Sequence, residues 1–424
     1  MTTAEKVLRC TALAGGGWGV AHDDDATWML RGALPGETVR AEPVFERGGV
    51  LHGQVTGVLE GHHPARLASP CPHAARCGGC DWPHVDAGRG AALKAQVAEG
   101  AARSHPGLRA TLAHAPVTPS PPAYRLRARL HWDPERGVLG FYAPHSWEVV
   151  PIPGCTVVSP ALTRTLPALR TALAASCTVP ADLEWLEDLD GATAVVGLRP
   201  ARSGPRRLDP ELLPPRGALP APVAGAWILT PVGVTTSGWG ERSVTMALPT
   251  PLKVPIGAFF QGNRHLVPWL FGRVRELAGD GFDGVWDLHA GVGFLAAAAA
   301  GGSATSPVLV EPFRPAARAA AANLPGARVF AGRTAEAYLR RHRHLPAESL
   351  VLLDPPRSGL SRELRRRLAG WGPRRILALS CDPATWTRDT AALLDAGYEL
   401  RHVELADLFP FTHHVETLSI LERA

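Results

Sequence analysis

The spacing of apolar and polar positions changes character along the chain. Residues 7–59 hold short apolar runs, "VLRCTAL", "TWML", "TVRAEPVF" and "LHGQVTGVL", broken by Gly15-Gly16-Gly17, Pro35-Gly36 and Gly48-Gly49. Short strands at this spacing predict a small barrel. A helix is expected near "GAALKAQVAEGAARS" (90–104). From Tyr124 to about Met246 the pattern is mainly β, and "YRLRARLHW" alternates well. The Pro/Gly-rich stretch 202–225 is expected to be a long loop.

From about residue 247 the rhythm becomes strand then helix. The predicted strands are "GVWDL", "PVLVE", "ARVFA", "SLVLLD", "RRILALS", "LRHVELADL" and "VETLSILE". Helical stretches such as "RPAARAAAANL", "AEAYLRR" and "SRELRRRLAG" lie between most of them, and "DPATWTRD" can open another. Strands that alternate with helices form a doubly wound α/β sheet, which binds ligands at the carboxyl ends of its strands. The expected division is a barrel over 1–60, a mainly β central domain over 61–246 and an α/β domain over 247–424.

Composition adds bounds. The 424 residues are 46% hydrophobic and 20% charged, an ordinary globular balance. No apolar run reaches the roughly 18 residues of a membrane helix. The N-terminal stretch lacks a signal-peptide apolar region, so a cytoplasmic protein is expected. The net charge of +5 is compatible with a polyanionic partner. Lysine occurs only at Lys6, Lys94 and Lys253, and so much arginine, alanine and proline can equally reflect a GC-rich genome.

Candidate chemistry collects at the predicted strand tips. "DLHAGVGF" puts Gly291 and Gly293 in a strand-to-helix turn, where missing side chains let a ligand approach the backbone. Glu311 ends the next strand, where a carboxylate can accept from ribose hydroxyls; a plain structural turn is the alternative. Asp354 ends the fourth strand in "DPPRSG", stiffened by two prolines, although Asp-Pro more commonly serves a turn or a cap. Cys381 ends the fifth strand, where a helix N-terminus or a cation would favour its thiolate. Glu416, preceded by His413 and His414, enters an apolar run in which burial would raise its pKa and improve it as a base near neutrality. Elsewhere Cys71, Cys77 and Cys80 are spaced C-x5-C-x2-C, with Cys155 far downstream. Four thiolates suit a soft metal centre, structural zinc among them. Cys10 and Cys177 match nothing and are expected to be packing residues.

"FFQGN" (259–263), "DLHAGVG", "DPPRSG", "LSCDPATWTRD" and "FTHHVETLSILER", in that order, resemble the RNA 5-methyluridine methyltransferases. "GWGVAHDD" and "GALPGETVRAE" look like that family's N-terminal RNA-binding TRAM barrel. "YRLRARLHW" and "GVLGFYAPHS" look like its central domain. The resemblance implies a Rossmann-like class I methyltransferase domain that uses S-adenosylmethionine. It implies Cys381 as the nucleophile that adds to uracil C6 and Glu416 as the base that removes the C5 proton. Gln261, Glu311 and Asp354 fall on the family's cofactor-binding positions, His289 and Phe294 of the glycine turn are expected to line the same cofactor site, and the four cysteines fall on the positions of a [4Fe-4S] cluster, with zinc as the alternative. The glycine turn departs from the family form at His289, Ala290 and Phe294. His289 can still stack on the cofactor, whereas Phe294 cannot donate the amide hydrogen bonds of the usual asparagine. The cysteines and barrel together resemble the 23S rRNA enzymes more than the tRNA T-loop enzymes. A monomer acting on RNA, without a membrane, is expected. A degenerate RNA-binding or assembly protein is the second reading. Of the basic stretches, 340–344 and 362–367 read as solvated helix faces, while the barrel and "RLRAR" are the better candidates for RNA contact.

Overall fold

The computed structural model describes residues 5–300, 306–342, 345–346 and 348–424. The N-terminal strands are β1 (Lys6–Arg9), β2 (Ala12–Leu13), β3 (Gly19–His22), β4 (Thr27–Arg31), β5 (Thr38–Arg47) and β6 (Val50–Glu60). They form one six-stranded sheet in the order β1-β5-β6-β4-β3-β2. Three register shifts between β5 and β6 bend that long pair. Its buried side gathers Leu8, Cys10, Trp28, Leu30, Val39 and Ala41 into a small core. Cys10 is a packing residue, as expected.

Two helices follow, α1 (Ala87–Ala101) and α2 (Pro106–Ala113), and then the short strand β7 (Val117–Thr118). This stretch falls inside the range expected for the central domain, yet it packs on the C-terminal α/β layer. Ala98, Ala102, Leu108 and Leu112 share a core with Trp386, Val403, Leu405 and Val415.

The central sheet holds β8 (Arg127–Asp133), β9 (Val138–Tyr142), β10 (Val149–Pro151), β11 (Ala181–Glu187), β12 (Ala194–Pro200), β13 (Val223–Leu229) and β14 (Thr235–Gly240), in the order β10-β9-β8-β11-β12-β13-β14. The mainly β expectation misses α3 (Pro160–Ser176). Pro167 in its interior reads as a breaker in sequence, but Leu162, Leu166, Leu169 and Leu173 repeat at helical spacing and are buried. Ser159 caps the helix, its Oγ accepting from Leu162 N at 3.0 Å. Cys177 follows this helix and is buried, again as expected.

A hairpin of β15 (Ser243–Met246) and β16 (Leu252–Pro255) leads to α4 (Val267–Ala278). The α/β layer then runs β17 (Gly284–Asp287), α5 (Phe294–Ala299), β18 (Val308–Glu311), α6 (Arg314–Asn323), β19 (Arg328–Ala331), α7 (Ala335–Arg341), β20 (Ser349–Leu353), α8 (Arg362–Trp371), β21 (Arg375–Ser380), α9 (Pro383–Leu394), β22 (Tyr398–Ala406) and β23 (Glu416–Arg423). All seven predicted strands form. The sheet order is β19-β18-β17-β20-β21-β23-β22-β7. It is parallel from β19 to β21, β23 runs antiparallel to both its neighbours, and β7 pairs parallel to β22 at the edge. No helix among the described residues is long and apolar enough to cross a membrane. The basic stretch 340–344 extends into Arg343 and His344, outside the described residues. On α8, Arg365 pairs with Asp389 and Arg367 with Glu363.

Candidate active site

Register alone brings the two expected catalytic side chains together. β21 and β23 pair antiparallel from Arg375 opposite Glu422 to Ser380 opposite Thr417. The next step along that ladder sets Cys381 against Glu416. Asp354 follows the tip of β20, whose Leu353 lies beside Ala378 of β21. Cys381 is held just before α9, whose N-cap Asp382 accepts from Thr385 N at 2.9 Å and whose first residue is Pro383.

The cleft is electrostatically costly. Burial pushes Glu416 up to about 8, with Asp354 adding and Arg357 and Lys94 opposing. Its Oε2 is buried without a partner. Burial raises Asp354 to about 7, opposed by the hydrogen bond from Gln261 Nε2 to Asp354 Oδ2 at 3.1 Å. Burial likewise pushes the Cys381 thiol up to about 12, helped by Glu416 and Asp354 and opposed by Arg357. Arg357 is the cation that acts on both Cys381 and Glu416. Its Nη2 lies 3.1 Å from His414 Nε2. Burial and the neighbouring His413 and Arg357 lower His414 to about 3, so its ring is neutral and accepts from the guanidinium.

Gln261 is delivered by a fixed loop. Asn263 Nδ2 donates to Ser120 Oγ at 2.8 Å and to Leu408 O at 3.0 Å, while Oδ1 accepts from His265 N and Leu266 N. The asparagine of "FFQGN" therefore ties Gln261's loop to the segment after β22.

At the glycine turn, Glu311 accepts from Gly291 N at 2.8 Å and from Phe313 N at 2.7 Å. A carboxylate has lone pairs left after two such bonds, so hydroxyls can still be received. Gly291 has φ +54°, and a Cβ built there meets no protein atom within 4 Å. That is the open side of the turn, where a ligand can lie on the backbone. His289 Nδ1 is buried without a partner, and burial lowers the ring to about 4, keeping it neutral. Phe294 goes elsewhere: its ring packs edge-on against Phe260 at 5.6 Å and Phe271 at 5.7 Å, in the core.

Sequence reasoning missed Asp287, at the tip of β17. Its Oδ1 accepts from His289 N at 3.3 Å, its buried Oδ2 has no partner, and burial pushes it up to about 8. An Asp ending a strand just before a glycine turn is a signal that could have found it. Lys94 was also missed, having looked like an ordinary helix lysine. It is buried, pairs with Asp407, and its Nζ donates to Phe409 O at 2.9 Å and His414 O at 2.6 Å.

The four cysteines lie outside this cleft. Cys71, Cys77, Cys80 and Cys155 are all free and line one cavity with Phe141, Ile152 and Val157. Burial raises Cys80 to about 12 and lifts Cys77 and Cys155, with neighbouring thiols adding and Arg125 opposing. Among the described residues, no three Cys, His, Asp or Glu side chains converge as ligands of one ion. The thiols stand around a space. Arg125 of "RLRAR" faces them; Arg129 pairs with Glu184 at 2.8 Å.

A glycine turn after the first parallel strand, an acid at the tip of the second, and a carboxylate and a thiol at the tips of the fourth and fifth fit a class I methyltransferase fold. Over 431 residues the chain is 32% identical to the 23S rRNA (uracil(1939)-C(5))-methyltransferase RlmD of Pseudomonas entomophila, covering 97% of this chain and 92% of that one. It is 31% identical to RlmD of Alkalilimnicola ehrlichii, with 98% and 96% covered. Residues 323–424 match the model of the tRNA (uracil-5-)-methyltransferase family. The fold matches the crystal structure of Pyrococcus abyssi tRNA (uracil-54, C5)-methyltransferase with S-adenosyl-L-homocysteine at a TM-score of 0.75 and 20% identity, covering 98% of this chain and 99% of that one. The chain belongs to the RNA 5-methyluridine methyltransferase family, enzymes that take their methyl group from S-adenosylmethionine.

Proposed function

We propose that this enzyme methylates C5 of a uridine in 23S rRNA, with Cys381 as nucleophile and Glu416 as base. The observation that carries the reading is the juxtaposition of a thiol and an unpartnered buried carboxylate at adjacent strand ends. Uracil C5 is a poor nucleophile. When the Cys381 thiolate adds to C6, the ring becomes an enolate and C5 can attack the methyl group of the sulfonium. Glu416 then takes the C5 proton, the C5=C6 bond reforms, and sulfur leaves as thiolate. Raised to about 8, Glu416 is close to matched with neutral operating conditions.

On this reading the cofactor lies along Gly291–Gly293, with Glu311 toward its ribose and His289 offering a neutral face. Gln261 and Asp354 sit between cofactor and uracil. The phenylalanine at 294 serves by packing α5 beneath the turn. The target uridine must be unstacked to reach a cleft this buried. Residues 1–60 act as the RNA-binding barrel, 61–246 as the cysteine-bearing central part and 247–424 as the methyltransferase unit, working as a monomer in the cytoplasm.

Four free thiols around an apolar space, with a guanidinium beside them, are a donor set suited to a [4Fe-4S] cluster. Zinc held by the same four thiolates is the alternative. When bound, the cluster would staple the 71–80 loop to Cys155.

Full-length relatives named for 23S rRNA favour that substrate over tRNA. The reading is tested by mapping 5-methyluridine in total RNA from a deletion strain. Loss from 23S rRNA is expected, and loss from tRNA alone overturns it. A purely RNA-binding role is overturned by a Cys381-dependent covalent RNA adduct.

A further inference from the structure

Between β22 and β23 the chain runs from Asp407 to Val415 without regular structure and then enters β23 at Glu416. This segment is bonded from two directions. From α1, Lys94 binds Asp407 and two carbonyls. From the cysteine loop, the residues just after Cys80 bind it as well. Asp81 Oδ1 accepts from His413 N at 3.1 Å, and Asp81 Oδ2 pairs closely with His413 Nδ1. Trp82 N donates to Phe411 O at 2.9 Å.

Phe411 supplies an independent sign that this docking matters. Its φ is +65°, in the left-handed region that a bulky side chain enters at a cost. Such a conformation persists where surrounding contacts determine it, and here the carbonyl of that residue is the one Trp82 holds. Trp82 is itself fixed: it is buried, and its indole Nε1 donates to Gly17 O at 3.1 Å. Gly17 has φ +74°, and a Cβ there would lie 2.4 Å from the Cβ of His413. The barrel turn, the cysteine loop and the base-bearing segment therefore meet at one joint.

Glu416 is three residues from His413 and has no hydrogen-bond partner on Oε2 to fix its own carboxylate. Its position is set by its pairing with Ala406 at the start of β23 and by the segment that leads into that pair. We propose that Asp81 is a positioning residue for C5 proton transfer, coupling the cysteine loop to the segment that ends in Glu416, so that the order of that loop governs how fast the covalent intermediate is resolved. This rests on the reading of Glu416 as the base.

In the affected step the C5–H bond breaks and its proton goes to a Glu416 oxygen. The C–H electron pair forms C5=C6 while the C6–S bond breaks, and sulfur departs with its pair as thiolate. Addition of sulfur and methyl transfer come earlier and do not use Glu416. Loss of Asp81 should thus slow resolution selectively, which general destabilisation would not do.

The test uses the full chain with its metal centre, a uridine-containing 23S rRNA fragment and methyl-labelled S-adenosylmethionine. Adduct formation and resolution are timed separately on denaturing gels, and iron content is measured alongside. Asp81→Ala is expected to leave adduct formation within about threefold and to slow resolution about tenfold or more, since small misplacements of a reacting group are costly. Methylated RNA bound to protein then accumulates. Asp81→Asn, which keeps an acceptor for His413 N, should fall between. If Asp81→Ala loses iron, His413→Ala, which changes no residue of the cysteine loop and keeps the bond from His413 N to Asp81, must still retard resolution. Unchanged resolution in both variants, or equal slowing of both steps, overturns the proposal. Glu416→Gln is run in parallel. If it accumulates adduct and Asp81→Ala does not, the positioning role fails and the base assignment stands; if neither accumulates adduct, both fall.

Discussion

The candidate active site and the segment behind it treat their buried and half-buried charges oppositely. In the cleft, Asp287 and Glu416 each keep a buried oxygen without a partner, and Asp354 has one amide bond. Behind it, Lys94 meets Asp407 and two carbonyls, and Asp81 meets His413 twice. Unpaired burial lifts carboxylates toward neutral pH, where they can exchange protons. Paired burial fixes geometry at the risk of a large loss if one partner goes. Reactivity and rigidity are thus kept in adjacent but separate sets of side chains.

The sharpest break of this contrast is Cys381→Ala. Removing the proposed nucleophile should lower methyl transfer by at least about 10⁴-fold, while cofactor affinity by calorimetry stays within about twofold. A variant that still turns over would remove the cleft from the chemistry. Next is Lys94→Met, which leaves Asp407 buried and uncompensated. A loss of about 3–5 kcal/mol in denaturant unfolding is expected, and a loss too small to resolve would show that the rear segment does not depend on paired charge.

Glu416→Gln tests the other side. The native carboxyl is raised from 4.5 to about 8, so the folded protein holds a proton there that the unfolded chain releases. Its contribution to stability is present below pH 4.5 and is lost as pH rises toward 8. Thermal unfolding should therefore find the glutamine variant increasingly more stable than the parent as pH climbs through that window, by at most a few kcal/mol. Wild-type turnover should rise over the same range as the carboxylate form appears, and a flat rate would argue against Glu416 as base. The smallest effect belongs to Gly17→Ala. The left-handed backbone and the collision with His413 should cost about 1–3 kcal/mol, read as a lower Tm.

The α/β half was legible because buried parallel strands are continuous apolar runs that stop at polar residues, and those residues are the proposed site. Cys381, Glu416, Asp354 and Gln261 could be named from sequence, but not the bond from Gln261 to Asp354, which depends on a loop tied down from elsewhere. Phe294 could be named too, but not the direction of its ring, which depends on Phe260 and Phe271 arriving from other elements. Helix α3 was hidden by Pro167, whose lost hydrogen bond is tolerated inside a capped, well-buried helix. Asp81–His413 and Lys94–Asp407 had no local signature at all. Each joins residues far apart in sequence, and each half alone looks like a surface charge.

The two-residue strand β7 pairs with Leu405 and Ala406 at the outer edge of the α/β sheet, and α1 and α2 cover the layer behind it. During synthesis this edge guard is made long before the strand it protects. A fragment starting at residue 247 would expose β22 as a bare template for intermolecular pairing and should aggregate, although it contains every residue expected to touch cofactor or uracil. The chemistry can be cut out of this chain on paper, but its solubility resides in the half that comes first.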